Sequence, residues 1–257
     1  MMPATKPFLS EADGAPFEVI NPDGASRIVL VCEHASNRVP EKLGDLGLTS
    51  AQLESHVAWD PGARELAVSL SDAFDAPLVA ARFSRLVYDC NRPPHAVSAM
   101  PHETEVCPIP GNRWITQRER QERASALYEP FQQAVHRLIA KRQVDRKPPV
   151  LVTVHSYTPV FHGVKREVEI GFLHGEDASL AQALATDCSA RSAYDVRLNE
   201  PYAPKDGVLH TIERQLESGP FPYVMIEVRN DLLTDPDKRT DIHALLAESL
   251  GAILSDI

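Results

Sequence analysis

The sequence predicts an α/β fold, a mostly parallel mixed sheet with helices on both faces. Three observations carry that expectation. Continuous apolar runs of strand length recur along the chain, amphipathic helical patterns separate them, and turn residues stand between the two kinds of segment. A strand in a parallel sheet is buried on both faces, and the path back to the next parallel strand normally runs through a helix. The alternation therefore points to one architecture.

Four apolar runs read as such strands: Arg27 to Cys32, Pro77 to Ala81, Pro149 to Val154 and Tyr223 to Val228. Leu86 to Cys90 and Val168 to Leu173 are shorter candidates. Helical patterns occupy Ser50 to Phe74, Thr116 to Gln143, Ser179 to Ala190, Gly207 to Glu217 and Pro236 to Ile257. Thr116 followed three residues on by Glu119 reads as a capping box at a helix start. No repeat, low-complexity tract or linker divides the chain, so residues 1–257 are expected to form one domain, with residues 1–20 as a peripheral N-terminal arm. The stretch 91–114, NRPPHAVSAMPHETEVCPIPGNRW, is proline-rich, aperiodic and long for a connection. Loops of that kind tend to carry function, and it is expected to border the active site.

The 257 residues carry a formal charge of −10, which argues against a broad basic surface for nucleic acid. An anionic ligand must then be met by individual cations. The four cysteines are scattered, with no CxxC pair and no signal peptide, as expected of reduced thiols in a cytoplasmic protein. Cys32 and Cys90 end apolar runs, where a buried structural thiol is the ordinary reading and a nucleophile the alternative. No apolar stretch approaches the roughly 18 residues needed to cross a bilayer.

In open α/β sheets ligands bind beyond the carboxyl ends of the strands, so the residues following each run are the ones to collect. They are Glu33, His34, Ser36 and Asn37; Ser84, Arg85, Asp89, Asn91 and Arg92; His155, Ser156 and Thr158; and Glu227, Arg229, Asn230 and Asp231. Two strand-end histidines with carboxylates nearby have the composition of a catalytic zinc site, one ion being expected, whereas magnesium would favour oxygen ligands throughout. His34 and His155 are the expected imidazole ligands. Asp60 and Glu33 compete for the carboxylate position: Glu33 alternates away from His34 if the strand continues, and Asp60 is the preferred ligand although Pro61 suits it equally to a helix N-cap. Glu227 is either the general base or a structural partner of Arg229. Arg85, Arg92 and Arg229, with Asn91, Ser156 and Asn230, are the candidate substrate-binding groups, the arginines for carboxylates. Ser36 and Ser156 lie in no G-x-S-x-G elbow, and nucleotide-binding glycine loops are absent.

The segments VCEHASNRVP, HVAWDPGA, SRLVYDCNRP, VTVHSYTPVFHG, NEPYAP and VMIEVRNDLL resemble, in order and spacing, the N-formylglutamate amidohydrolase family over roughly residues 15 to 250. The resemblance implies a phosphorylase/hydrolase-like α/β fold shared with zinc carboxypeptidases. His34, Asp60, His155, Glu227 and the Asn91–Arg92 pair fall on matching positions. Where the histidine-degrading members carry a PHSG-like stretch this chain has CEHASN, which marks a distinct branch. The expected activity is zinc-dependent hydrolysis of the amide of a small N-formyl or N-acyl acidic amino acid such as N-formylglutamate. A zinc carboxypeptidase or broader N-acyl amino acid deacylase is the enzymatic alternative, and a metal-free small-molecule binding protein the other.

Overall fold

The structure, a computed structural model, describes residues 7–143 and 148–255. Among the described residues nine strands run in chain order: β1 Phe17–Ile20, β2 Ile28–Cys32, β3 Leu78–Ala81, β4 Val150–Tyr157, β5 Val160–Phe161, β6 Val164–Lys165, β7 Ile170–Leu173, β8 Val196–Leu198 and β9 Tyr223–Arg229. Seven of them form one mixed sheet in the order β1-β3-β2-β4-β9-β7-β8, and β5 and β6 form a separate hairpin. The four central strands β3, β2, β4 and β9 are parallel, β1 and β7 are antiparallel to their neighbours β3 and β9, and β8 runs parallel to β7.

The helices are α1 Ser50–Glu54, α2 Ala63–Phe74, α3 Gln117–Arg123, α4 Glu129–Gln143, α5 Ser179–Arg191, α6 His210–Leu216, α7 Asn230–Thr234 and α8 Pro236–Ser255. A π-helical turn, Ala124–Tyr128, joins α3 to α4. Alternate residues of the central strands divide between two cores. Val29, Val31, Val79, Leu151 and Met225 pack with Phe131, Val135 and Ile139 of α4 and Ile212 of α6 on one face. Leu30, Leu78, Val152, Val154 and Ile226 pack with Leu66 and Leu70 of α2, Leu184 of α5 and Leu246 and Leu250 of α8 on the other. Both faces are thus withdrawn from water, which is why these strands read as unbroken apolar runs.

Three expectations are corrected. Residues 17–20 of the expected arm are an edge strand, hydrogen-bonded along β3. Leu86 to Cys90 is a buried turn: its apolar side chains pack in the core, but Val87 N–H bonds back to Ser84 O and no ladder forms. Burial produces the same apolar run whatever the backbone does. The helix expected from Ser50 to Phe74 is broken, with residues 55–62 forming the connection that carries Asp60. The Thr116 capping box forms as expected, Thr116 Oγ1 accepting from Glu119 N–H at 3.2 Å and Thr116 N–H donating to Glu119 Oε2 at 2.7 Å. The end of the last helical pattern, residues 256 and 257, lies outside the described residues.

The chain runs β2-α2-β3 to one side of β2 and returns to β4 on its other side, so the sheet reverses its winding between β2 and β4. The crevice at such a switch point opens at the carboxyl ends of the two strands. Gly62 starts α2 there with φ of +81°, and a Cβ at this position would meet the Leu233 Cβ at 2.4 Å. Glycine is therefore required twice over, by the backbone conformation and by the close approach of α7. Gly62→Ala should destabilise the protein by about 2 kcal/mol or more. A urea titration should find the midpoint lowered with the slope unchanged; an unaltered midpoint contradicts this account of the turn.

Candidate functional site

The residues after β2 turn sharply, and the Asp60 connection is tied to that turn by the Asp60 N–H donating to His34 O at 3.0 Å. His155 lies near the end of β4 in direct register with Glu227 of β9. These elements bring His34, Asp60, Asp89, His155 and Glu227 to one pocket of about 810 Å³. All five are nearly inaccessible to solvent.

Asp60 Oδ2 is 3.2 Å from His34 Nδ1 and 3.0 Å from His155 Nδ1, and the two Nδ1 atoms are 3.2 Å apart. Three donor atoms thus form a nearly equilateral triangle. A tetrahedral zinc ion with bonds of about 2.0–2.1 Å spaces its ligands by about 3.3 Å, so the triangle has the dimensions of one face of such a site. The outer nitrogen of each imidazole faces a further carboxylate: His34 Nε2 lies 2.8 Å from Asp89 Oδ1, and His155 Nε2 lies 3.1 Å from Glu33 Oε2. Carboxylates behind imidazoles orient the rings and raise their basicity as ligands. Glu33 accordingly stands behind His155, outside the triangle, and Asp60 occupies the carboxylate corner.

Burial alone would depress the His34 imidazole, but Asp89 and Asp60 outweigh it and hold its pKa above the ordinary value. Burial likewise opposes the charged form of His155, and Glu33 and Asp60 reverse the effect and raise it well above. Asp60, despite its burial, is held well below the carboxylate range by His34 and Arg85. Glu227 differs. Burial pushes it up to about 7 against the pull of His155, and its Oε2 has no hydrogen-bond partner among the described residues. A buried carboxyl poised near neutrality, beside a cluster of potential metal ligands, is suited to accept and return a proton.

The other expected site residues divide sharply. Arg85 lines the pocket as a brace, with Nη1 on Asp60 Oδ1 at 3.2 Å, Nη2 on His56 O at 2.6 Å and Nε on Val57 O at 3.2 Å. Ser156 also lines it, but its hydroxyl donates to Pro61 O at 2.8 Å and its N–H to Asp60 Oδ2 at 3.3 Å. Asn91 is buried and ties the turn before α6, accepting from Thr211 N–H at 2.9 Å and donating to Val208 O. Arg92 lines the pocket and donates to Asn91 O and Gly207 O at 2.8 and 2.9 Å.

Arg229 and Asn230 are not among the pocket-lining residues. Arg229 pairs with Asp231 at 2.7 Å and Glu169 at 3.2 Å, not with Glu227, so the structural Glu227–Arg229 pair is not formed and the guanidinium expected to bind substrate is engaged by carboxylates of the protein. Of the 91–114 loop only Asn91 and Arg92 reach the pocket. Asn112 pins the rest by donating to Leu86 O and Pro101 O, each at 2.7 Å. Cys32 and Cys90 are buried thiols that burial pushes well above their usual range, as structural cysteines.

Sequence reasoning collected Asp89 without assigning it, since nothing local links it to His34. His56 was not among the strand-end residues collected, yet it lines the pocket, held neutral by burial and by Arg85, its pKa lowered to about 3. Sequence reasoning also left unassigned Arg166, after the hairpin, and Tyr202, whose NEPYAP segment was the available signal.

The family of N-formylglutamate amidohydrolases matches residues 26–234, and the chain belongs to this family. A gene product of Agrobacterium tumefaciens has a crystal structure similar to this one, with 48% sequence identity, a TM-score of 0.92 and coverage of 97% of this chain and 98% of that one. The N-formylglutamate amidohydrolase of Ralstonia eutropha JMP134 is similar in fold, at 18% identity and a TM-score of 0.68 over 95% of this chain and 100% of that one. No curated protein sequence matches.

Asp89→Asn and Glu33→Gln each preserve shape while weakening the support behind one imidazole. Each should lower the affinity for zinc about 10- to 100-fold with the fold retained. Competition with a chromophoric chelator measures this; unchanged affinity in both variants would place the metal elsewhere.

Proposed function

We propose that the protein is a zinc-dependent amidohydrolase that cleaves the amide of a small N-formyl or N-acyl acidic amino acid, N-formylglutamate being the representative substrate. The observation that carries this reading is the triangle of His34 Nδ1, His155 Nδ1 and Asp60 Oδ2 beside the buried Glu227, whose Oε2 has no hydrogen-bond partner among the described residues. The donor set of two imidazoles and one carboxylate suits zinc. When bound, the ion supplies a Lewis acid that polarises the scissile carbonyl and acidifies water. Family membership supports the amide as the bond cleaved.

In this reading Glu227 takes the proton of the attacking water and delivers it to the departing amine. Its elevated pKa matches both halves of that task, since a carboxyl near 7 is basic enough to accept a proton and acidic enough to return it. Arg85 fixes Asp60, while Asp89 and Glu33 fix the imidazoles, so the ligand atoms are placed before substrate arrives. The same cluster argues against a non-enzymatic binding protein, which has no use for a proton carrier at this point. The net charge of −10 and the absence, among the described residues, of a helix able to cross a membrane are compatible with a small-molecule enzyme.

Glu227→Gln keeps the side-chain shape but removes the proton acceptor. With zinc bound at wild-type stoichiometry, turnover of N-formyl-L-glutamate should fall by at least about a hundredfold; near-normal turnover would move the base to another group. Metal uptake should also release protons. The pKa values of both imidazoles are raised in the metal-free protein, so the proton-bearing forms compete with the metal, and affinity should fall as pH falls. Calorimetric titration of zinc in buffers of different ionisation enthalpy should give a positive proton release near neutral pH that shrinks as pH rises; release of none would contradict the ligand assignment.

A further inference from the structure

The cations bordering the pocket differ in what already neutralises them. Arg85 is paired with Asp60, Arg197 with Asp195 at 2.7 Å and Glu200 at 2.9 Å, and Lys165 with Glu167 at 3.3 Å. Arg166 has no carboxylate at ion-pair distance among the described residues, although it lines the same pocket. Arg92 shares this property, but its Nη1 is spent on two backbone carbonyls and its charge acts on Asp89, which it helps to hold anionic.

Arg166 is held by neutral groups instead. Its guanidinium carbon lies 4.4 Å from the ring centroid of Phe161, 4.9 Å from that of Tyr202 and 5.4 Å from that of Tyr157. Nη1 donates to Thr158 O at 3.3 Å and Nη2 to the Tyr202 hydroxyl at 3.1 Å. The backbone is fixed as well: the β5–β6 turn has positive φ at both His162 (49°) and Gly163 (75°), and Arg166 N–H closes the hairpin base on Pro159 O at 2.8 Å. Aromatic faces stabilise a cation without neutralising it. A guanidinium has five N–H groups in a planar fork matched to a carboxylate, and only two of them are committed here. What sets Arg166 apart is that it combines an unneutralised charge, three uncommitted N–H groups and a place on the pocket wall, whereas Arg85 and Arg197, which also line the pocket, are paired with carboxylates of the protein.

We propose that Arg166, caged by Tyr157, Phe161 and Tyr202, is the specificity-determining residue that receives a carboxylate of the substrate. The inference rests on the amidohydrolase reading for the identity of the substrate, and it transfers the anchoring role from Arg229, which is saturated and outside the pocket, to an arginine supplied by the hairpin.

The test separates binding from turnover. Glutarate, a dicarboxylate with no scissile bond, is titrated calorimetrically into the zinc-supplemented wild-type protein and into Arg166→Met and Arg166→Lys, with thermal melts to establish that each variant is folded. Arg166→Met should weaken glutarate binding about 10- to 100-fold, and Arg166→Lys should recover part of the loss as a charge without the fork. On N-formyl-L-glutamate, KM should rise by a similar factor with a smaller change in kcat, and the preference over the doubly amidated analogue should collapse. Wild-type affinity in a folded Arg166→Met variant, or failure of the wild type to bind glutarate, would overturn the assignment. Arg166-dependent glutarate binding without hydrolysis of any N-formyl or N-acyl amino acid would leave the anchor standing and overturn the activity.

Discussion

Asp60 Oδ2 sits between two imidazoles at 3.0 and 3.2 Å, almost wholly removed from solvent, while Oδ1 receives Arg85 at 3.2 Å. A buried carboxylate without compensation costs several kcal/mol, so groups from distant parts of the chain must be brought to it. The compensation comes from the turn after β2, the buried turn after β3 and the end of β4. Arg85 in turn bonds the carbonyls of His56 and Val57, and the Asp60 N–H bonds His34 O, so the loops are fastened to each other as well as to the charge. Gly62 allows the chain to leave this knot and begin α2 against α7.

The charge pattern around that knot separates the acids by task. Asp60 and Asp89 are kept anionic by His34 and neighbouring arginines, and Glu33 by His155, although burial opposes the charge of all three. Glu227, equally buried, lacks such a contact on Oε2 and is displaced towards neutrality. Side chains of one chemical type thus acquire different protonation behaviour from their surroundings alone. Under the amidohydrolase reading, this division distinguishes ligand and supporting carboxylates from the carboxyl that moves a proton.

The arginines are divided by the same logic. Arg85 and Arg229 are consumed by carboxylates of the protein, one bracing the site and the other fastening β9 to the segment before β7. Arg166 is retained by rings, a carbonyl and a hydroxyl, which position its charge and leave it available. Counting arginines near strand ends cannot distinguish these cases, because neutralisation depends on which carboxylates fold against each one.

The amino-acid sequence by itself determined the parallel core of the sheet, because strands covered on both faces must be apolar throughout, and it determined which polar residues stand at their carboxyl ends. His34, His155 and Glu227 were legible for that reason: each stands at or just beyond the carboxyl end of a predominantly apolar run. Half-exposed edge elements such as β1 and β8 left little mark, since burial on one side of a four- or three-residue strand gives too short a pattern to read. Only the tertiary structure decided between Asp60 and Glu33, because the choice depends on the side from which each approaches His155 across 95 and 122 intervening steps of chain respectively. It alone also joined Asp89 to His34, withdrew Arg229 from the pocket and brought Arg166 to it. These are contacts between loops whose pairing is set by the winding of the sheet, and local composition carries no record of which loop will face which.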